Sequence, residues 1–147
     1  MTCLECQKEL SYLDHREALE LLNLELCPAH RNRMVKLMRT HEVPVEAIQL
    51  YYGLKKMGIR AMLAWWDGKK TVHLAVSRVK LNIEIDTGHG AMTHDQAMND
   101  LEETMHSFKN GFTTIRIPDF LVHKYLQETL VNIEGIIEGL RSNIKVV

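Results

Sequence analysis

Residues 71–86, TVHLAVSRVKLNIEID, constrain the fold more than any other stretch of the chain. Two runs, 71–77 and 80–86, alternate strictly between apolar and polar positions and are rich in β-branched residues, the signature of two short strands. In the second run Leu81, Ile83 and Ile85 point one way, and Asn82, Glu84 and Asp86 the other. If Arg78 and Val79 form a two-residue hairpin loop, Ser77 pairs with Lys80 and His73 falls directly opposite Glu84. Alternation then gathers His73, Glu84 and Asp86 on one sheet face, a set of nitrogen and oxygen donors suited to a divalent metal. The competing reading of this local pattern is a half-exposed sheet face that merely carries polar residues.

A second pattern stands at the N-terminus. Cys3-Leu-Glu-Cys6 and Cys27-Pro-Ala-His30 give C-x2-C, twenty residues, then C-x2-H, which uses all three cysteines of the chain. Structural zinc takes four tetrahedral thiolate or imidazole ligands, and two closely spaced pairs are how a small unit supplies them. Pro28 suits the first position of a helix running through Arg31, Met34, Val35 and Met38. A knuckle followed by a helix whose first turn holds the second ligand pair resembles a treble-clef zinc finger. The alternative is a set of unrelated buried thiols. Between the two pairs, DHREALELL reads as a helical turn or as part of a hairpin.

The remaining elements follow from periodicity and punctuation. Residues 40–43 read as a linker, and Pro44 opens a helix that stops at Gly58. Residues 59–66 read as a strand, and Asp67-Gly68 is a hairpin turn leading into Thr71. After Asp86, TGHGAMTH reads as a loop. Residues 95–110 read as a helix in which Met98, Leu101, Met105 and Phe108 recur in steps of three and four. FTTIRI is a further strand, ended by Pro118. One long amphipathic helix is expected over residues 119–141, its buried stripe formed by Val122, Leu126, Leu130, Ile133, Ile137 and Leu140. Gly135 and Gly139 form a G-x-x-x-G pair, read as close helix packing. The Glu84 strand and the Phe112 strand, joined by a helix, should lie parallel.

No apolar run approaches the roughly 20 residues that span a bilayer, and MTCLECQKEL lacks the basic and apolar regions of a signal peptide. A cytoplasmic location without membrane contact is expected. The net charge of −1 conceals an asymmetry. Residues 31–80 carry eleven Lys or Arg against three Asp or Glu, whereas residues 81–147 carry five against ten. That split reads as a nucleic-acid footprint beside an acidic, metal-binding region, or as an ordinary solvated surface. The footprint would comprise Arg31, Arg33, Lys36, Arg39, Lys55, Lys56, Lys69 and Lys70.

The α-β-β-β-α-β order with an E-x-D pair ending the third strand resembles the PD-(D/E)XK nuclease superfamily. Over roughly residues 44–141 the chain is most similar to the branch related to very-short-patch repair endonucleases. The carrying text is the Asp67-Gly68 turn, T-V-H-L-A-V, L-N-I-E-I-D-T-G-H, Asp100 in the following helix, and G-F-T-T-I-R-I. The resemblance implies an α/β, restriction-endonuclease-like core with a mixed sheet. It also implies a site at position 73, Glu84 and Asp86 that binds Mg2+ or Mn2+, with Arg116 steadying a phosphate. His89 or His94 would serve as general acid or base, the other reading being loop histidines that are simply exposed. Several positions depart from the pattern. His73 stands where an aspartate is expected, Thr87 precedes the glycine after E-x-D, and Glu103 stands where D-x-x-R has arginine. An imidazole in place of a carboxylate removes a charge and favours softer metals, so His73 marks either a retuned or a decayed site. For Arg116 the other reading is an ion pair with a helix carboxylate.

Together these readings predict a zinc-binding module over residues 1–40 and a PD-(D/E)XK-like nuclease domain over residues 41–147. The expected function is metal-dependent hydrolysis of DNA phosphodiesters, with structural Zn2+ at Cys3, Cys6, Cys27 and His30. DNA is the expected partner, and a homodimer is compatible with the reading. The alternatives are a catalytically inactive nucleic-acid-binding protein that keeps the fold, and a zinc-stabilised protein-interaction module.

Overall fold

The computed structural model describes residues 1–88 and 93–146. Three helices come first: α1 (Tyr12–Leu22), α2 (Pro28–His41) and α3 (Val45–Lys56). Strands β1 (Met62–Trp66), β2 (Thr71–Val76) and β3 (Leu81–Asp86) follow, then α4 (His94–Lys109) and β4 (Thr113–Pro118). Helices α5 (Asp119–Lys124) and α6 (Leu126–Val146) complete the chain. The four-stranded sheet has the order β1-β2-β3-β4, antiparallel at the first two pairings and parallel between β3 and β4.

The turn chemistry sets the register. Asp67 closes the first hairpin as an Asx turn, its Oδ1 accepting from the Lys69 and Lys70 amides at 2.8 Å each. The second hairpin turns through a 3-10 turn, Ser77–Val79, and Lys80 adopts the left-handed conformation at φ 53°. Val76 then pairs with Leu81 and Leu74 with Ile83, the register that brings His73 to Glu84.

Both faces of β3 are covered, which alternation alone did not indicate. Leu81, Ile83 and Ile85 pack with Leu74, Val76 and Ile117 against α3 and α6, through Ile48, Leu54, Leu130, Ile133 and Ile137. The opposite face lies under α4, and there Asn82 is buried and donates to the Ser107 hydroxyl at 3.3 Å. Leu10, Leu22, Leu26 and Cys27 belong to the same continuous core as α3. Gln49, itself buried, ties the first helix to the third by donating to the Leu22 carbonyl at 2.8 Å.

Two expectations need correction, and one open alternative is decided. The long C-terminal helix is two helices, broken at Tyr125. The Tyr125 and Thr129 amides still donate to the Leu121 and Tyr125 carbonyls at 2.9 Å each, and the Thr129 hydroxyl adds a second donor towards both, at 3.2 and 2.8 Å. The apolar stripe runs in phase through both pieces, so periodicity hides the break. Gly135 and Gly139 do not mediate close packing, since a Cβ on either would meet nothing within 4 Å. The close approach is at Gly53, where an added Cβ would stand 2.6 Å from Leu130 Cδ1. DHREALELL lies within a regular helix, α1, capped at Ser11 by a side-chain bond from the Asp14 amide.

Candidate metal centre and active site

At the N-terminus the chain folds back on itself as a knuckle. The Cys3 amide donates to the Lys8 carbonyl at 2.9 Å, and Gln7 takes a positive φ of 61° to make the turn. Cys27 is the N-cap of α2, Pro28 occupies the first turn, and His30 follows on the same turn. One ligand atom from each of Cys3, Cys6, Cys27 and His30 lies within 4.8 Å of the others. Cys6 and Cys27 sulfurs are 3.9 Å apart, and His30 Nδ1 lies 3.1 Å from Cys27 Sγ and 3.7 Å from Cys3 Sγ. Tetrahedral zinc with bonds of ~2.3 Å separates its sulfurs by about 3.8 Å, so the donor set fits that ion. Burial works against a Cys3 thiolate, but backbone N–H groups of Cys27, Cys6 and Glu5 outweigh it and bring the thiol down to about 6.

The second cluster sits at the C-terminal end of β3. Glu84 is buried, and its Oε1 lies 2.6 Å from Lys70 Nζ, a close charge-assisted contact. Lys70 also reaches Glu103 of α4 at 3.3 Å. Burial alone would depress the Lys70 ammonium, yet the two carboxylates hold it above its ordinary value. His73 Nδ1 lies 3.4 Å from Glu84 Oε2 and accepts a hydrogen bond from the Ile85 amide at 3.0 Å. An Nδ1 that accepts places the ring proton on Nε2, so the neutral imidazole has no second lone pair for a cation. Burial, opposed by Glu84, lowers the His73 pKa, in keeping with that neutral form.

Asp86 is exposed and caps the following turn, its Oδ1 accepting from the Gly88 amide at 3.0 Å. Among the described residues, the only three or more Cys, His, Asp or Glu side chains with converging ligand atoms are the N-terminal four. The structure therefore brings His73 to Glu84 but does not draw Asp86 into the same tight group. Arg116 pairs with Asp100 of α4 at 2.6 Å, the helix-carboxylate alternative read from the sequence. His94 is exposed beside Asp95, and His89 lies outside the described residues.

Of the basic positions, Arg31 is engaged by Glu17 at 2.7 Å and Lys55 by Glu5 at 2.8 Å, and Lys70 belongs to the Glu84 cluster. Arg33, Lys36 and Arg39 are exposed along α2, and Lys56 and Lys69 are exposed elsewhere. The role of Lys70 beside Glu84 was missed from sequence. Strict alternation puts it on the face opposite His73, and the pairing register, extended, sets it beyond the end of β3. Its flexible four-carbon stem makes the reach from the hairpin.

The chain aligns in three dimensions with the solved structure titled "Homing Endonuclease I-Bth0305I Catalytic Domain", with a TM-score of 0.54 and 15% sequence identity. The alignment covers 65% of this chain and 95% of that one. The fold is nuclease-like. No protein-family model matches the chain, and no curated protein matches it.

Proposed function

We propose that the protein is a divalent-metal-dependent endonuclease acting on DNA, with its site at the end of β3. The observation that carries this reading is Glu84, a buried carboxylate on an inner strand of a nuclease-like sheet, with Lys70 and His73 gathered about it. Glu84 with Asp86 offers the hard donors that Mg2+ or Mn2+ prefers, the ion taking the place that the Lys70 ammonium holds. When bound, such an ion supplies charge to a phosphate and acidifies a water. Lys70 and Arg116 stand ready as phosphate partners, each on release from its carboxylate. His73, by accepting from Ile85, braces the strand that presents Glu84, and so acts as a positioning residue rather than a ligand.

Zn2+ at Cys3, Cys6, Cys27 and His30 is structural in this reading, because four protein donors leave no open position. Residues 1–40 then form a zinc module docked on the nuclease domain of residues 41–147. Arg33, Lys36 and Arg39 on α2 carry the exposed part of the DNA footprint, with Lys56 and Lys69. The similarity to very-short-patch repair endonucleases read from the sequence belongs to the same proposal.

A second reading, a non-cleaving nucleic-acid-binding protein, is favoured by the Lys70 ammonium at 2.6 Å from Glu84, since it already supplies the site with a positive charge. Plasmid cleavage by zinc-loaded protein in Mg2+ and in Mn2+ separates the two. Nicking or linearisation that Glu84→Gln abolishes supports the nuclease. Salt-sensitive DNA binding without any cleavage supports the second reading, and no DNA affinity at low salt defeats both.

A further inference from the structure

Helix α4 is turned inside out. Asp100, Glu103 and Ser107, spaced by three and four, meet the sheet through Arg116, Lys70 and Asn82 respectively. With 3.6 residues per turn, Met98, Leu101, Met105 and Phe108 form a separate stripe whose mean direction is about 150° round the helix from those three. They are 43%, 62%, 49% and 75% exposed. A surface helix of a monomer buries its apolar stripe and wets its polar side; α4 does the reverse. The 3-4-3 spacing of the four residues is that of a coiled-coil seam, in which such positions pack against another helix.

We propose that this stripe is where a second copy of the chain docks, α4 against α4, antiparallel about a two-fold axis. The proposal does not depend on the nuclease reading. The seam is self-complementary: antiparallel pairing sets Met98 opposite Phe108 of the second copy and Leu101 opposite its Met105, so all four side chains of each copy are used. A two-fold axis closes that contact at two copies.

The flanking charges select the same occupant and the same direction. Asp95 and Lys109 lie on one edge of the stripe at opposite ends of the helix. Antiparallel docking brings each Asp95 to the Lys109 of the second copy, whereas parallel docking would face that edge with the partner's other edge, Ala97 and Thr104, and forfeit the charge pairing. It also sets the positive end of each helix dipole beside the negative end of the other. Glu102, at the middle of the same edge, meets its own counterpart near the axis, so this exposed pair opposes association.

The area agrees. At roughly 200 Å2 for a fully exposed large apolar residue, the four exposures amount to about 450 Å2 of mostly apolar surface, the upper part of the range for a monomer. Interfaces are about 57% apolar, so a stripe of that size is the apolar share of a face of about 800 Å2 per partner, the standard size.

Sedimentation of the full-length, zinc-loaded chain from micromolar to submillimolar concentration tests the proposal. The wild type should form dimers, and Leu101→Glu with Met105→Glu should remove them from the whole range while circular dichroism and zinc content stay unchanged. Lys109→Glu should weaken the dimer several-fold, and adding Asp95→Lys should restore it. Glu102→Gln should tighten the dimer, a gain that general destabilisation does not produce. A wild type that stays monomeric throughout overturns the proposal. So does a dimer indifferent to the double glutamate variant, or one that Asp95→Lys fails to restore.

Discussion

Replacing Lys70 by methionine tests the charge balance around Glu84. The change keeps most of the stem but removes an ammonium 2.6 Å from Glu84 and 3.3 Å from Glu103. The Glu84 side chain is 8% exposed and that of Lys70 20%. Removing one partner of a fully buried pair costs about 3–5 kcal/mol, because the other charge is left without compensation. Lys70 keeps some contact with water, so screening reduces the expected cost to about 2–3 kcal/mol. For a chain of this length that corresponds to a fall in Tm of about 5–10 °C. Urea unfolding of zinc-loaded protein, free of other divalent ions, measures it. Adding Glu84→Gln should recover most of the loss, because the uncompensated charge goes with it. Mn2+ should stabilise Lys70→Met more than wild type, the ion taking the place of the ammonium. A Lys70→Met protein within about 0.5 kcal/mol of wild type would refute the argument, since the pair would then behave as a solvent-screened surface contact.

Three further outcomes follow from separate parts of the molecule. Freshly purified protein should hold one zinc per chain, and Cys27→Ser should lose the zinc and much of its thermal stability, by elemental analysis and calorimetry. Gly53→Ala should destabilise by about 1–2 kcal/mol, overpacking against Leu130 exceeding the gain in helix propensity, whereas Gly135→Ala, with open space around it, should stabilise by about 0.5–1 kcal/mol in the same denaturation assay. Burial holds the folded His73 below its ordinary 6.5, so its contribution to stability is complete above that value and is lost as pH falls through the lower folded one. Denaturation midpoints without divalent ions should thus drop from pH 6.5 downwards more steeply in wild type than in His73→Gln.

The central strands were legible because two independent signals agreed. Alternation in TVHLAVSRVKLNIEID set the faces, the length of the turn set the register, and together they brought His73 to Glu84. The cysteine and histidine spacing likewise anticipated a cluster whose ligand atoms converge. What sequence could not supply was the identity of whatever covers each face. Alternation sets Glu84 on a polar sheet face without saying what covers it; α4 does, because Asp100, Glu103 and Ser107 offer polar partners to that face. The apolar stripe of α4 is a correct periodicity whose direction periodicity does not specify. The break at Tyr125 falls within an apolar stripe that stays in phase on both sides of it, so the pattern carries no sign of it. His73 was read as a ligand from its position; the Ile85 amide that occupies its Nδ1 belongs to a neighbouring strand.

The central claim is that Glu84 and Asp86 hold a hard divalent cation at the end of β3. Titration of zinc-loaded protein with Mn2+, followed by electron paramagnetic resonance, tests it most directly. The account predicts one Mn2+ bound per chain, with affinity reduced at least tenfold by Glu84→Gln and also by Asp86→Asn. Binding unaffected by both substitutions, or no bound Mn2+ at all, would contradict it.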